Sequence, residues 1–248
     1  MIIIALPMYN EEKGIKPLLE KIRSAMSAMP SAKKGYRVLI IDDGSTDSSV
    51  RIVDSFRKRM RIELISHKVN MGLGVTLKGL FNAVSGPKRV KGSDIIIMMD
   101  ADNTHDPSLI KKMLPEMDKH NLVIASRYVK GGNEVGFPFY RKILSRLAVF
   151  ILKLFFPIKG ITDYTCGYRA YRAELLQKAH KFYGNNFITS TGFPGSAEIL
   201  IKLRRFGIKL KEVPLVLRYD LKAGQSKLKL LDTIREYASI FYNNTIKR

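Results

Sequence analysis

Two features are scarce in this chain, and each scarcity excludes a class of protein. Its single cysteine, Cys166, excludes an internal disulfide framework and suits a reducing compartment. The longest apolar stretch, residues 147–158, is interrupted by Lys153 and Pro157 and falls short of the roughly 20 residues that a membrane span needs. The first residues have neither a basic lead nor a small-residue cleavage site, so they do not resemble a signal peptide. We therefore expect a cytoplasmic protein that does not cross a bilayer by itself.

Acidic residues are also few, with 22 Asp and Glu against 43 Lys and Arg and a formal net charge of +21. A chain this basic attracts polyanions, which include nucleic acid, anionic membrane surfaces and phosphorylated substrates. The glycine-rich segment at residues 70–74 lacks the Lys-Ser/Thr pair of a P-loop and the glycine spacing of a dinucleotide-binding loop. An NTPase and a dehydrogenase are thereby disfavoured.

The order of the apolar segments predicts the fold class. Short apolar runs at residues 2–6, 38–41, 62–66, 94–99 and 122–126 have the character of buried strands, and helical periodicities lie between them. This alternation predicts an α/β domain with a mostly parallel, doubly wound sheet and helices on both faces. We expect Asn10 to cap the first helix, with Glu11 and Glu12 in its first turn. Its buried face should comprise Ile15, Leu18, Leu19, Ile22 and Met26; that of the second helix should comprise Val50, Val53, Phe56 and Met60.

Three polar segments follow predicted strands. They occupy residues 7–11, 42–47 and 100–102. Because ligands of such sheets bind beyond the carboxyl ends of the strands, we expect these segments to meet at one edge. Their convergence is stronger evidence for a ligand site than any one of the motifs.

The segment Asp100, Ala101, Asp102 has the pattern of a metal site. Residues i and i+2 of an extended segment point the same way, so both carboxylates can face one point. Their mutual repulsion is relieved by a hard divalent cation, Mg²⁺ or Mn²⁺, which keeps further coordination positions for a diphosphate. The alternative is a simple turn and helix cap, and Asp106 with Pro107 is a second capping pair.

Two further segments suit a nucleotide. Asp43 at a strand end can accept hydrogen bonds from a nucleobase, although the run at residues 42–47 is also typical of an Asx-turn that caps the next helix. Residues 70–74 resemble a phosphate-binding loop, because glycines allow a close approach of the backbone at a helix N-terminus. On its own this second signal is weak.

Taken in order, these motifs resemble the family 2 glycosyltransferases, which have the GT-A fold. The resemblance rests on residues 7–11, the Asp-Asp-Gly-Ser-Thr-Asp run at 42–47, Asn70-x-Gly and Asp100-x-Asp102. It extends to the polyprenyl-phosphate branch, typified by dolichyl-phosphate mannose synthases, through Ser126-Arg127, Arg141, Ser145-Arg146, residues 163–171, Glu212-Val213-Pro214 and residues 224–227. The match covers nearly the whole chain.

The resemblance implies a role for each matching residue. The implied catalytic residues are Asp102, Arg127, Arg141 and Asp163. The implied nucleotide-binding residues are Pro7, Tyr9, Asn10, Glu11, Asp43, Gly72, Asp100, Ala101 and Asp102. Asp100 and Asp102 would hold the metal, with Thr104 as a further candidate. Phosphate and the acceptor would be bound by Arg127, Arg141, Ser145, Arg146, Arg169, Lys222, Ser226 and Lys227.

The resemblance also implies an activity and its partners. The protein would move a hexose, with inversion, from a nucleotide-sugar of the GDP-mannose or UDP-glucose type to a polyprenyl or dolichyl phosphate. It would lie peripherally on the cytosolic face of a membrane, with a membrane-anchoring protein as a further partner. The catalytic domain would occupy residues 1–227, with a nucleotide-sugar half at 1–126 and an acceptor half at 127–227, followed by an amphipathic helix at 228–248.

Three positions depart from the family pattern. Thr104 stands where the branch usually has Gln, Leu73 where it usually has Lys, and Lys222 where an Arg is common. These departures leave the enzyme class intact, but they leave open the identities of the donor sugar, the nucleobase and the acceptor.

The acceptor decides whether a general base is needed. A lipid phosphate is already ionised near pH 7, whereas a saccharide hydroxyl, the alternative acceptor, needs a positioned carboxylate or His. Asp163 and Glu198 are the candidate bases, with Asp163 better suited to orienting a neighbouring Arg. His105 beside the metal motif is either a ligand or, as we expect, a surface residue at the start of a helix.

Two helical segments bear on the membrane. Residues 137–158 combine Arg141, Lys142, Arg146 and Lys153 with a very apolar body, which suits either a membrane interface or a core helix. Leu230, Leu231, Ile234, Ala238 and Phe241 recur at helical spacing, and we expect this face to pack on the domain.

Two other classes of protein are alternatives to a glycosyltransferase. A nucleic-acid-binding protein would explain the charge, but its basic residues should interleave with exposed aromatics, and here acidic clusters line the predicted cleft. We therefore expect no nucleic-acid partner. The intact Asp-x-Asp weighs against a non-catalytic nucleotide-binding protein.

Overall fold

The computed structural model describes residues 1–30, 35–86, 90–222, 224 and 230–245. Strands and helices alternate along most of this part of the chain. Their bounds are β1 (Ile2–Met8), α1 (Ile15–Ser27), β2 (Tyr36–Asp42), α2 (Ser49–Phe56), β3 (Ile62–Ser66), α3 (Leu73–Ser85), β4 (Ile95–Met98), α4 (Ile110–Glu116), β5 (Leu122–Ser126), β6 (Asn133–Val135), α5 (Phe139–Phe155), β7 (Arg169–Arg172), α6 (Ala173–Tyr183), α7 (Gly195–Leu203), β8 (Leu210–Pro214), β9 (Val216–Arg218) and α8 (Leu230–Thr245).

The central sheet has seven strands in the order β3-β2-β1-β4-β7-β5-β8. β1 pairs in parallel with β2 and β4, β2 with β3, and β5 with β8. β7 is the exception, since it runs antiparallel between β4 and β5. The prediction of a mostly parallel α/β sheet is confirmed. β7 was not predicted because its residues, Arg-Ala-Tyr-Arg, contain no apolar run.

Both faces of the sheet are buried under helices. Ile2, Ile4, Leu6 and Met8 of β1 face a core shared with α1, α2 and α4, whereas Ile3 and Ala5 face a core shared with α3, α6 and α7. Burial on both sides explains why the parallel strands are almost continuously apolar. The predicted buried face of α1 is confirmed at every position. In the second helical region Val53, Phe56 and Met60 are buried, and Val50 is partly buried.

The start of α1 differs from the prediction. Asn10 does not cap it, because the helix begins at Ile15 with Gly14 as its N-cap and with no acidic residue in its first turn. Asn10 has a backbone φ of 50° and points to the loop after β2. Asn10, which was predicted to cap α1, therefore joins the loops that follow β1 and β2.

Two smaller features complete the fold. β6 and β9 form a separate parallel pair next to the main sheet. α8 packs on the domain as predicted through Phe241, with Tyr237 and Ile240 beside it, whereas the predicted Ile234 and Ala238 are exposed. The side chains of Leu230 and Leu231, also predicted for this face, lie outside the described part of the structure. Among the described residues, we find no helix with both the length and the apolar character of a membrane span.

Candidate functional site

The loops after β1 and β2 are joined by hydrogen bonds at the carboxyl edge of the sheet. The Asn10 amide donates to Ser45 Oγ at 2.9 Å, and the Asn10 side-chain oxygen accepts from the Thr46 amide at 2.8 Å. The Glu11 amide donates to Ser49 Oγ at 2.7 Å. Pro7 lies in the last part of β1, opposite Ile41. These contacts bring together the first two polar segments, as predicted.

Asp43 ties the loop after β3 to the same edge. Its Oδ1 accepts from the Met71 amide at 3.0 Å and lies 2.9 Å from His67 Nδ1, while its Oδ2 accepts from the Gly72 amide at 2.8 Å. A carboxylate oxygen can accept two hydrogen bonds, so Oδ2 keeps one acceptor position. Sequence reasoning missed His67, whose spacing from Asp43 gives no signal.

The glycine-rich loop is shaped for the protein's own backbone. Gly72 has a φ of 92°, and a Cβ on Gly74 would lie 1.8 Å from the Ser190 carbonyl oxygen. The Gly74 amide donates to the Thr191 carbonyl at 2.8 Å. The Met71, Gly72 and Gly74 amides thus have protein partners, and the prediction that this backbone cradles a phosphate is wrong for these three groups.

Asp100 and Asp102 follow β4 at the same edge. The Asp100 side chain is 51% exposed, whereas the Asp102 side chain is only 10% exposed. The Asp102 Oδ1 accepts from the Thr104 amide at 3.1 Å and from Thr104 Oγ1 at 2.6 Å. A Cβ on Gly14 would lie 3.1 Å from the Asp102 backbone, so α1 begins directly behind this loop. Ala101 is buried in the core.

His105 is buried, so the prediction of a surface position is wrong. It is 3% exposed and stacks on Tyr168 with ring centroids 5.1 Å apart. The Asp100 amide donates to His105 Nδ1 at 3.1 Å. In a neutral ring the proton is therefore on Nε2, which lies 3.9 Å from Asp100 Oδ2. His105 thus fixes the backbone of the loop at residues 100–102 through its hydrogen bond to Asp100.

A lysine is already bound to one carboxylate of the Asp100 and Asp102 pair. Lys222 forms an ion pair and hydrogen bond from Nζ to Asp102 Oδ2. Burial alone would raise the pKa of Asp102, but the Lys222 ammonium outweighs burial and holds that pKa below its ordinary value. The sequence prediction placed Lys222 on phosphate, and the structure places it on Asp102.

The residues present fit a divalent cation. The two carboxylates are hard oxygen donors at one edge of the sheet, and a cationic group is already bound to one of them. Within the described ranges, no group of three or more His, Cys, Asp and Glu residues has metal-site geometry. A cation here would therefore rely on Asp100 and Asp102, with other positions filled by a ligand or water.

Arg127 is held in a buried ion cluster. Its Nε and Nη2 donate to the two Asp163 oxygens, each at 2.8 Å, and its Nη1 donates to Glu134 Oε1 at 3.1 Å. Nη2 also donates to Thr165 Oγ1 at 2.7 Å. Glu134, on β6, was not predicted, because only the fold brings β6 against this arginine. With four of its five N–H donors bound to these partners, Arg127 orders this region.

The two candidate bases are both occupied. Burial alone would raise the pKa of Asp163, but Arg127 holds that pKa below its ordinary value. Glu198 is fully buried, pairs with Lys202, and accepts hydrogen bonds from Thr189 and Ser190. Asp163 thus orients an arginine, as the sequence suggested, and Glu198 organises the 189–190 loop.

Three predicted acceptor residues lie on α5. Arg141 Nη1 donates to the Tyr219 hydroxyl at 2.9 Å, and the Tyr219 ring centroid lies 5.9 Å from Lys222 Nζ. Ser145 lies 2.9 Å from the Tyr128 hydroxyl. Arg146 is exposed. A cavity of about 510 Å³ opens beside it, lined by Arg127, Tyr128, Val129, Gly132, Arg146, Val149 and Thr162.

Arg169 does not lie in this region, and its prediction as a phosphate ligand is wrong. It is fully buried, and its guanidinium donates to the Ser196 and Tyr164 carbonyls at 2.7 and 2.8 Å. Antiparallel β7, which the sequence did not predict, directs it into the core. The remaining predicted phosphate ligands, Ser226 and Lys227, lie outside the described residues.

Comparison with known proteins gives a consistent result. The model of the family described as Glycosyl transferase family 2 matches residues 3–179. The chain is 30% identical to a dolichol-phosphate mannosyltransferase of Pyrococcus furiosus, over 96% of this chain and 62% of the relative. It is 28% identical to an undecaprenyl-phosphate mannosyltransferase of Micrococcus luteus, over 92% of this chain and 87% of the relative. The chain thus spans less than two thirds of the Pyrococcus protein.

A solved structure supports the fold. The mannosyltransferase PcManGT from Pyrobaculum calidifontis, in complex with GDP-Man and Mn²⁺, matches with a TM-score of 0.58 at 13% identity, covering 100% of this chain and 64% of that one. At this identity the likeness speaks for the fold alone. The predicted GT-A architecture is confirmed.

Proposed function

The chain belongs to glycosyltransferase family 2, and on that premise we propose that it transfers mannose from GDP-mannose to a polyprenyl phosphate, with inversion at the anomeric carbon. The observation that carries the proposal is a juxtaposition at one edge of the sheet. There the Asp100–Asp102 pair is linked, through Lys222 and Tyr219, to Arg141 on the basic and apolar helix α5. A donor site and an acceptor helix thus adjoin each other.

The donor lies at the joined loops in this proposal. Pro7, Tyr9 and Glu11 line the nucleoside side, with Asn10 holding the two loops together. Asp43 Oδ2, which has one described protein donor, accepts from the base. Asp100 and Asp102 hold Mg²⁺ or Mn²⁺ and face the diphosphate. The Pyrobaculum protein named above was solved with GDP-Man and Mn²⁺, which supports this choice of donor and metal.

The acceptor phosphate lies beside α5. Arg141, Ser145 and Arg146 occupy the first half of this helix, and Arg146 also lines the cavity near Arg127. We assign the phosphate to Arg141 and Arg146, because Arg127 gives four of its five N–H donors to Asp163, Glu134 and Thr165. The names of the two curated relatives support a polyprenyl phosphate as the acceptor.

The reaction needs no strong base in this arrangement. An oxygen of the ionised acceptor phosphate forms a bond to the anomeric carbon, while the bond from that carbon to the diphosphate breaks and its electron pair leaves with GDP. Attack opposite the leaving group inverts the configuration. A bound divalent cation supplies stabilisation of the negative charge that develops on the leaving diphosphate. The occupied states of Asp163 and Glu198 weigh against a hydroxyl acceptor, which would require a free base.

Helix α5 brings the protein to the lipid. Its side chains Phe139, Ile143, Leu147, Phe150, Leu154 and Phe155 are each more than half exposed, and only Leu152 is buried on this helix. This exposure supports the membrane-interface interpretation over the core helix. Apolar side chains next to Arg141, Lys142, Arg146 and Lys153 suit a membrane interface with anionic lipids. We propose a peripheral position on the cytosolic face; a membrane-anchoring protein partner stays a prediction.

The decisive test is a transfer assay with GDP-mannose labelled in the sugar. Full-length protein is incubated with Mn²⁺, detergent and undecaprenyl phosphate, and the label is extracted into organic solvent. We expect label in a lipid product that is lost when the phosphate is replaced by undecaprenol. Transfer from UDP-glucose but not GDP-mannose would overturn the donor. Transfer only to an added oligosaccharide would overturn the lipid acceptor.

A further inference from the structure

Both oxygens of Asp102 have partners within the protein. Thr104 donates to Oδ1 from its amide and from its hydroxyl, and the Lys222 ammonium binds Oδ2. Both charged side chains are largely buried, at 10% exposure for Asp102 and 16% for Lys222. The carboxylate that the proposed function assigns to the metal is therefore already neutralised by a cation of the chain itself.

The Lys222 ammonium is attracted by more than one carboxylate. Its ammonium is also attracted by Asp100 and Glu11, so it lies among three carboxylates at the donor edge. Its side chain passes the ring of Tyr219, with Nζ 5.9 Å from the ring centroid. A divalent ion bound to Asp102 would repel the ammonium from that oxygen, while Asp100 and Glu11 would keep it at the same edge of the sheet.

We propose that Lys222 is an internal counter-ion that competes with the divalent metal for Asp102 and moves to the donor diphosphate when metal and donor bind together. The inference deepens the proposed function and rests on it for the identity of the donor. It assigns Lys222 two successive partners, whereas the family resemblance implied only a phosphate.

Lys222 and the metal should compete for Asp102 because of the sign and size of their charges. A divalent cation and an ammonium repel each other at hydrogen-bond distances, and this repulsion is strong where water is scarce. Metal binding to the free protein must therefore break a buried ion pair. A diphosphate reverses this effect, because it offers negative charge to both cations. Metal and donor should thus each increase the affinity for the other by the same factor, as thermodynamic linkage requires.

The test measures Mn²⁺ binding to the full chain without donor, by the loss of the free-ion EPR signal. We expect Lys222→Met to bind Mn²⁺ tighter than the wild type by roughly tenfold or more. Lys222→Arg keeps the charge and should stay within about threefold of the wild type. Lys21→Met is the matched control, because Lys21 donates to Asn103 beside the same loop, at 2.9 Å, and not to Asp102. It should likewise change the affinity less than about threefold.

The second arm repeats the titration with GDP and with UDP. GDP should tighten Mn²⁺ binding to the wild type, and this enhancement should shrink in Lys222→Met. If Lys222 were needed only for structure, Lys222→Met would bind Mn²⁺ more weakly both without and with nucleotide. Tighter Mn²⁺ binding by this variant without nucleotide is therefore specific to competition.

Three results would overturn the inference. The first is equal or weaker Mn²⁺ binding by Lys222→Met. The second is an equal gain in Lys21→Met, which would reduce the effect to general charge. The third is no Mn²⁺ binding by any variant with or without nucleotide. Failure of the proposed function is separate, because the free-protein titration contains no donor: metal competition at Lys222 without transfer from GDP-mannose would sink the transfer reaction alone.

Discussion

At the scale of single residues, we expect donor binding to depend most on Asp102. In Asp102→Asn the side chain keeps its shape but loses its charge, so metal-dependent binding of GDP-mannose should be abolished. Mannosyl transfer should fall by roughly a hundredfold or more, because stabilisation of the leaving charge is lost. Isothermal titration with Mn²⁺ and GDP measures the binding. Asp106→Asn is the control, since Asp106 caps the short helical turn that follows, accepting from the Ser108 amide at 2.9 Å and from the Ser108 hydroxyl at 2.7 Å. Normal nucleotide binding by Asp102→Asn with metal present would refute the metal assignment.

Asp163 should govern stability more than chemistry. Asp163→Asn leaves the buried Arg127 guanidinium without its bidentate partner, which should cost about 3 kcal/mol in the free energy of unfolding. Urea denaturation monitored by circular dichroism measures this change. Glu174→Gln is the control, because Glu174 and its partner Lys178 are both more than half exposed. That variant should unfold at nearly the wild-type urea concentration. An equal effect of the two substitutions would contradict the importance of the buried cluster.

The same carboxylate predicts a pH dependence. The folded-state pKa of Asp163 lies below its ordinary value of 3.8, since Arg127 outweighs the effect of burial. A depressed carboxyl pKa stabilises the fold above the unfolded-state pKa, and this contribution disappears as the pH falls through the folded-state value. The free energy of unfolding should therefore decrease as the pH is lowered below 3.8. In Asp163→Asn this decline should be shallower; an unchanged slope would assign it to other carboxylates.

Residue chemistry could be predicted from sequence only where the local pattern determined the partner. Asp100 and Asp102 come directly after an apolar run, and their position beyond β4 was predictable from that order of segments. Arg169 shows the limit, because its burial depends on β7, whose pairing with β4 and β5 no local pattern announces. His67 and Glu134 were missed for the same reason, since their partners lie 24 and 7 residues away in other elements.

At the scale of elements, the membrane contact proposed for α5 can be tested separately from the contribution of α5 to folding. Phe150 and Leu154 are each 65% exposed, whereas Leu152 between them is fully buried. Phe150→Ala with Leu154→Ala should keep the melting temperature and weaken binding to vesicles of phosphatidylcholine and phosphatidylglycerol by roughly tenfold or more. Leu152→Ala should instead lower the free energy of unfolding by about 2 to 5 kcal/mol. Vesicle sedimentation measures the first effect and urea denaturation the second. Unchanged sedimentation of the double variant would argue against α5 as the membrane contact.

Elements with a strong period were predictable, and elements made by the tertiary fold were not. The five predicted strands and the buried face of α1 follow from runs of apolar residues and a 3.6-residue period. The start of α1 was wrong because Asn10 found better partners in the neighbouring loop. In α8 the inward side chains are Tyr237, Ile240 and Phe241, and Phe241 packs against the rings of Phe155 and Phe156, a tertiary contact that the period of the helix alone does not predict.

At the scale of the whole molecule, the net charge of +21 attracts anionic ligands, whereas the carboxylates at the carboxyl edge of the sheet repel them. A nucleic acid would be attracted by the surface in general but repelled by Asp43, Asp100 and Asp102 without metal. A nucleotide with a divalent cation satisfies both, because the cation neutralises the edge and the basic surroundings hold the phosphates. The two classes of ligand therefore differ in how their binding depends on metal and on salt.

This difference is measured by thermal unfolding. A ligand that binds only the folded state at a hundred times its dissociation constant adds about 2.7 kcal/mol of stability, which for a chain of this length corresponds to roughly 5–10 °C in melting temperature. GDP-mannose with Mn²⁺ should produce such a shift, EDTA should remove it, and UDP-glucose should give a smaller one. A DNA duplex should give a metal-independent shift that disappears at high salt, since exposed charges are screened there. If the duplex instead raised the melting temperature more than every nucleotide-sugar at physiological salt, the basic surface rather than the carboxylate pair would be the functional site.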